Sequence, residues 1–356
     1  MSAPTIDETR VEEFMGQLVG HMTGTALCLG IWLGDELGFY RMLADRGAMS
    51  AHGLAVQSEC HERLVREWLD SQAAGGILVY DEGEDTYALP AEHAMALADD
   101  ESPVFVARAM NAFGSLFLDF EKMKETFRGT GAMSWGDHHP CLFSGTEWFF
   151  RTGYRAHLAS EWIPALDGMA ERLTAGARVA DVGCGHGASI VAMAEAFPEA
   201  TFTGIDFHAP SIETARQRVE EAGVTGRTSF QVAKATEYDG TYDLICFFDC
   251  LHDMGDPVSA ARHAREHLAD DGMVLLVEPF ALDDHSHNMT DNPMAALLYM
   301  ASAGICVPNS LSQDVGLGLG AQAGEARLRS VFEQAGFSRF RRATETPMNL
   351  IIEARP

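Results

Sequence analysis

The 356-residue sequence predicts an α/β protein: a doubly wound, mostly parallel seven-stranded sheet preceded by a mainly helical winged-helix domain. Three observations predict it. From residue 176 onward, short β-branched runs alternate regularly with helical segments. The stretch "DVGCGHG" at 181–187 leaves the first of these runs through glycines directly into a helix. The front of the chain carries helical periodicity interrupted by one hairpin pattern. Such a length is comfortable for two domains. We expect a winged-helix domain over 1–127, a linker and lid helix over 128–165, and a ligand-binding sheet domain over 166–356.

The front elements follow from amphipathic spacing, clearest at 26–44, 61–73, 92–100 and 103–127. Ser50 starts a short helix, Ser58 caps a second, and Gly75-Gly76 stops it. "ILVY" and "TYAL" then flank the turn "DEGED" as a hairpin, the outline of a winged helix. Upstream, residues 14–34 carry no Asp, Glu, Lys or Arg and space Gly16, Gly20 and Gly24 four apart. Five glycines and four polar residues dilute that segment, and no basic loop flanks it. It therefore reads as a buried or dimer-forming helix, with no membrane span.

A winged helix raises the question of nucleic acid. The second helix sets Arg63 and Arg66 against Glu62, Glu67 and Asp70, and the wing is acidic. The whole chain has a formal charge of -27, which repels phosphates and anionic membranes. Scaffolding or dimerisation, without nucleic acid, is the expected role. Seven cysteines with no CxxC pair indicate a reduced compartment, and the acidic start lacks the features of a signal peptide, so a cytoplasmic protein is expected.

The joining segment begins in loop composition and becomes helical. Its "SWGDHHP" places Trp135, His138 and His139 in an irregular stretch that reads as a lid over a site. Behind it, strands read at 178–182, 201–205, 228–232, 242–248, 273–278, 337–343 and 348–354. Helices lie between them at 187–197, 210–222, 258–269 and 325–335.

The glycine loop is the strongest signal. Gly183, Gly185 and Gly187 allow a ligand to approach backbone beside a helix N-terminus, in a G-x-G-x-G spacing that leans away from a nicotinamide dinucleotide. Asp206 ends the next strand and can accept both hydroxyls of a ribose. Asp181 points from the first strand end toward the same crevice, where it receives an ammonium group or orders the loop.

These residues resemble the class I S-adenosylmethionine-dependent methyltransferases, whose first motif looks like "VADVGCGHG" with an acid where Asp206 stands. Together with the winged helix, nearly the whole chain is similar to plant-type small-molecule O-methyltransferases and their actinobacterial relatives. The resemblance implies a Rossmann-like sheet, S-adenosylmethionine as cofactor, a small-molecule acceptor and a homodimer. It implies cofactor contacts from the glycine loop, Asp181, Asp206 and Phe207, and from Asp249 at a later strand end. Such enzymes commonly carry an acid after the third strand to reach the adenine amine. Here Lys234, Ala235 and Thr236 stand there, and Lys234 cannot accept from an amine.

"LHDMGDP" is similar to the segment that carries the catalytic histidine in the plant-type enzymes, which implies His252 as the base, with Glu278 and Glu325 as its flanking carboxylates. A histidine suits a task that needs a proton acceptor near neutral pH. Asp253 is adjacent and cannot orient it, whereas Asp256 or Glu278 can. A structural histidine, or a metal ligand helped by His138, His139, His285 or His287, remains open, although no tight ligand spacing supports a metal and none is expected. The acceptor wall is expected from 292–316, with Met294 and Leu298 as apolar contacts and Tyr299 and Asn309 as polar ones. The expected function is methyl transfer to oxygen or carbon of a small aromatic metabolite. The alternatives are a metal-assisted C-methyltransferase acting on a keto acid, and a non-enzymatic ligand-binding regulator.

Overall fold

The computed structural model describes residues 6–356; the first five residues of the expected front domain lie outside the described residues. The chain divides into two compact units between Gly114 and Ser115.

In the first unit, Asp7 caps α1 (Glu8–Glu36) by accepting from the N–H groups of Thr9 and Arg10. Gly38 ends the run at φ +71, and α2 (Phe39–Arg46) follows, so the helix expected at 26–44 is two helices broken by a left-handed glycine. Ser50 caps α3 (Ala51–Ser58) as expected. Ser58 does not cap α4 (Glu62–Ala74): its hydroxyl donates back to the Leu54 carbonyl, and His61 takes the capping position. The hairpin is β1 (Val79–Asp81) with β2 (Thr86–Ala88), followed by α5 (Ala91–Leu97). Arg66 of α4 is held bidentately by Asp85 of the wing at 2.8 and 2.7 Å, and Arg63 pairs with Glu67. These cations are already neutralised within the protein.

The segment expected as one helix over 103–127 ends in α6 (Met110–Leu118) and α7 (Phe120–Phe127). Next comes α8 (Cys141–Gly153), which runs into a wider π-type turn over Tyr154–Trp162. Then α9 (Met169–Thr174) leads into the sheet, whose elements match the expected alternation closely. They are β3 (Arg178–Val182), α10 (Ala188–Ala196), β4 (Thr201–Asp206), α11 (Ala209–Glu221), β5 (Thr228–Val232), β6 (Tyr242–Phe248), α12 (Pro257–Glu266) and β7 (Leu268–Pro279). Three short helices, α13 (His285–Asp291), α14 (Ala295–Ala301) and α15 (Val307–Leu311), precede α16 (Gly324–Gln334), β8 (Arg339–Glu345) and β9 (Asn349–Arg355). A second π-type turn, Ser302–Cys306, joins α14 to α15.

The strand order is β5-β4-β3-β6-β7-β9-β8, parallel from β5 to β7 and antiparallel at β9 and β8. The chain starts at β3, builds outward to β5, then returns to β6 beside β3. The gap between the ends of β3 and β6 is therefore the switch point at which ligands bind in doubly wound sheets. Burial on both faces fixes the register. Val179, Cys246 and Leu275 pack against Ile190, Met193 and Ile212, while Ala180, Ile245 and Val274 pack against Ala260, Leu328 and Phe332 on the other side. No single helix among the described residues is long and apolar enough to cross a membrane.

Candidate active site

The switch point gathers the expected loop and the expected histidine. β3 and β6 run in register, Val182 beside Phe247, so the glycine loop after one strand faces the turn after the other. Gly183 has φ +79, and a Cβ there would stand 2.7 Å from the Cys250 sulfur; only glycine fits this crossing. Gly187 at φ +77 caps α10, while the Cβ position of Gly185 is clear of any atom within 4 Å.

Asp206 is buried at the end of β4. Its Oδ2 accepts the Gly185 N–H at 2.9 Å and its Oδ1 the His208 N–H at 2.8 Å. Burial pushes this carboxyl up, against the pull of those two bonds. Asp181 is buried too, and burial pushes it up to about 7. One of its oxygens accepts the Ser189 hydroxyl, and the other has no hydrogen-bond partner. A buried acceptor left open is costly unless a donor arrives.

His252 lies in a short turn just past β6, 4% exposed. Its Nδ1 meets Glu278 Oε2 in a short contact. Glu278 Oε1 accepts the N–H groups of Leu251 and His252 at 3.0 and 3.3 Å, so the acid is tied to the turn that carries the imidazole. The far nitrogen, Nε2, stands 3.3 Å from the Cys306 sulfur. Burial alone would pull His252 down, but the Glu278 carboxylate and the Cys306 thiol outweigh it and hold the imidazole well above its ordinary value. Glu278 is thus the acid that holds the ring. Asp256 serves elsewhere, capping α12 through the Ser259 N–H at 2.9 Å.

Other expected positions are placed as follows. Glu325 is not among the groups within hydrogen-bonding distance of His252: Arg329 at 2.7 Å and Arg342 at 2.8 Å engage its carboxylate. Asp249 takes a left-handed φ of +50 at the end of β6 and is held by Asn349 at 2.8 Å and Tyr154 at 3.3 Å. Lys234 projects outward and pairs with Glu237 at 3.4 Å, and Phe207 is half exposed beside Asp206. Ala235 and Thr236 lie in the turn that follows β5. Tyr299 accepts from Asn288 at 3.1 Å, Leu298 is buried on α14, and Met294 lies at the head of that helix.

The segment expected as a lid is tied to Asn309. The Trp135 N–H donates to Asn309 at 2.9 Å, and Asn309 in turn donates to the Asp253 carbonyl at 3.1 Å. His138 is buried, its Nδ1 3.3 Å from Asp119 and its Nε2 without a hydrogen-bond partner. Burial holds His138 below its ordinary value against the pull of Asp119. His139 turns instead to Cys141, 3.0 Å away. Three residues escaped the sequence reading. Cys306, between Ile305 and Val307, reads as core, and Asp119 reads as a helix-end acid. Glu147 of α8 binds His186 of the glycine loop at 2.9 Å and Arg218 of α11 at 3.2 Å. His186 was visible inside the loop motif; its distant partner was not. Among the described residues no group of three or more His, Cys, Asp and Glu side chains is arranged to hold a metal ion.

Compared with known proteins, residues 154–338 match the family described as "Methyltransferase domain". The chain belongs to this methyltransferase family. Residues 25–99 match the "Rv2258c-like winged HTH domain". A curated relative, 27-O-demethylrifamycin SV methyltransferase of Amycolatopsis mediterranei, is 34% identical over 107 residues, which is 29% of this chain. The chain spans less than half the length of the curated relatives it matches, 39% in this case. Over its whole length the chain is similar to solved structures. A putative O-methyltransferase from Nostoc punctiforme has TM-score 0.71 and 21% identity, covering 99% of both chains. Human N-acetylserotonin methyltransferase, solved in complex with SAM, has TM-score 0.69 and 17% identity, covering 100% of this chain and 99% of that one. At such identities the likeness is one of fold.

Proposed function

We propose that this methyltransferase uses S-adenosylmethionine to methylate oxygen or carbon of a small aromatic metabolite, with His252 as the base. The observation that carries this reading is the Glu278–His252 pair at the switch point, beside a glycine loop whose neighbouring strand ends in Asp206. The cofactor fits the residues present. Asp181 offers a buried, open acceptor for its ammonium group, the glycine loop offers backbone, and Asp206 offers lone pairs for ribose hydroxyls. When bound, the cofactor supplies an electrophilic methyl group on a sulfonium.

The protein's own part is positional and protolytic. Holding acceptor and methyl in line can supply ~7–11 kcal/mol of the barrier. Glu278 fixes the imidazole through Nδ1, so Nε2 is the nitrogen that takes the acceptor's proton. A thiol is a weak donor, so an acceptor hydroxyl displaces Cys306 from Nε2. Trp135, His138 and Asn309 close the acceptor side, and Glu147 clasps the lid helix to the glycine loop. Glu325, bound by Arg329 and Arg342, is assigned no role.

The pH dependence follows from the pair. Only the unprotonated imidazole can accept a proton, so turnover is expected to rise as pH climbs through a midpoint above the ordinary histidine value of roughly 6.5. Glu278→Gln removes the anion that favours the imidazolium and should move the midpoint to lower pH. A pH–rate profile whose midpoint is unmoved by the substitution would separate Glu278 from the base.

We also propose a homodimer formed through α1, and a cytoplasmic setting in keeping with seven free cysteines. Phe14, Met22 and Leu29 are 57%, 72% and 64% exposed on α1, and the Cβ positions of Gly16, Gly20 and Gly24 meet no atom within 4 Å. A second copy would cover this surface. Deleting residues 1–34 should give monomer or aggregate in light scattering; a monomeric full-length protein contradicts the proposal.

A further inference from the structure

Cys306 is set apart from the protein's other buried thiols by what surrounds it. Cys184 of the glycine loop and Cys246 of β6 belong to the buried core, and burial pushes both thiols well up. Cys250, also pushed up by burial, donates to the Val182 carbonyl at 3.1 Å. Such thiols are inert, because the thiolate is the reactive form. Cys306 has a different neighbour: the imidazole of His252, 3.3 Å from its sulfur, with Glu278 on the opposite ring nitrogen. The other thiol–imidazole contact, Cys141 with His139, has no carboxylate behind the ring among the described residues; His139 Nδ1 there also accepts the Cys141 N–H at 3.3 Å.

The backbone places Cys306 deliberately. It closes the π-type turn Ser302–Cys306, and wider turns of this kind concentrate at functional sites because the extra residue re-aims a side chain. Ser302, at the start of the turn, accepts the Ala321 N–H at 3.0 Å, and Gly320 donates to the His252 carbonyl at 3.0 Å. The turn and the histidine segment are thereby locked to one another.

We propose that Cys306, His252 and Glu278 form a thiol–imidazole–carboxylate triad that adds soft carbon electrophiles, of the α,β-unsaturated carbonyl class, at Cys306. Nucleophile, base and orienting acid stand in the order and spacing that nucleophilic catalysis requires. The step balances without an oxidant or a leaving group. The sulfur forms a bond to the β carbon, and the alkene electron pair moves onto the carbonyl as an enolate. The thiol proton passes to His252 Nε2 and returns to the α carbon. Nothing in this step needs the methyl donor, so the inference stands apart from the proposed transfer reaction.

The test is brief treatment of the full-length protein with N-ethylmaleimide, followed by peptide mass spectrometry of all seven cysteines. Cys306 should be modified in the folded protein, and Cys306→Ser should lose that adduct. In His252→Gln the rate at Cys306 should fall at least about tenfold, the lower end of what a positioned base contributes, while the part-exposed Cys60 keeps its rate. Cys246, fully buried, reports folding: if it becomes modified in His252→Gln, Glu278→Gln serves in its place with the same expectation. An unmodified Cys306 when Cys60 is complete, or an unchanged rate at Cys306 in the folded variant, overturns the triad.

Discussion

Alanine at position 252 is expected to lower methyl-transfer turnover by roughly 10²- to 10⁴-fold while leaving affinity for S-adenosylhomocysteine nearly unchanged. Only the proton acceptor is lost, since the glycine loop, Asp181 and Asp206 do not use the imidazole. The same substitution leaves Glu278 buried with two backbone N–H donors and no cation, so the melting temperature should fall as well. His252→Gln keeps a polar group opposite Glu278 and separates the two effects: stability recovers, turnover does not. Normal turnover in the alanine variant with a lowered melting temperature would make His252 a structural histidine, and the proton acceptor would have to be sought at His138, whose Nε2 is buried and open. Chelators are expected to leave the wild type unaffected; activity lost to a chelator and restored by added metal would give His252 to a metal instead.

Asp206→Ala is expected to weaken S-adenosylhomocysteine binding at least about tenfold by calorimetry, equivalent to ~1.4 kcal/mol or more. Hydrogen bonds from ligand hydroxyls to a carboxylate are each worth about 1.5–3 kcal/mol, so the tenfold figure is a lower bound. The carboxylate also holds the loop through Gly185 N–H, and part of the loss would come from that release. Asp206→Asn retains one accepting oxygen for the loop and distinguishes the two contributions. Equal affinity in wild type and Asp206→Ala would remove the residue from the site.

Much of this architecture was legible because its signals are local. Strand runs with both faces buried, glycines at a strand-to-helix turn and an acid at the next strand end are all read within a few residues. The errors lie where a single dihedral or a single hydrogen bond decides. Gly38 breaks a helical stretch whose pattern continues on both sides, and Ser58 finds a carbonyl four residues back rather than a helix to cap. β7 begins at Leu268, earlier than its apolar run, because pairing with Tyr242 draws polar residues into the strand across a register shift. In the site, His252 and Glu278 could be paired from motif and strand position. Cys306 could not, because its partner is 54 residues away and the chain around it has the composition of a core helix. Glu325 failed for the converse reason: two arginines, one of them on β8, claim its charge.

The π-type turn before α15 has an evolutionary consequence. Such a turn is an α-helix carrying one residue more than it needs, so removing a residue between 302 and 306 would restore regular winding and leave the sheet untouched. Everything after it would keep its phase, because the widened turn already absorbs the extra residue; only the side chains inside the turn would be re-aimed. Asn309 would keep Trp135 and the Asp253 carbonyl, and Ser310 the Met254 carbonyl that it now holds at 2.8 Å, while the Cys306 sulfur would be turned away from His252. A lineage could thus part the thiol from the imidazole in one deletion, with the following helix and the sheet inherited intact.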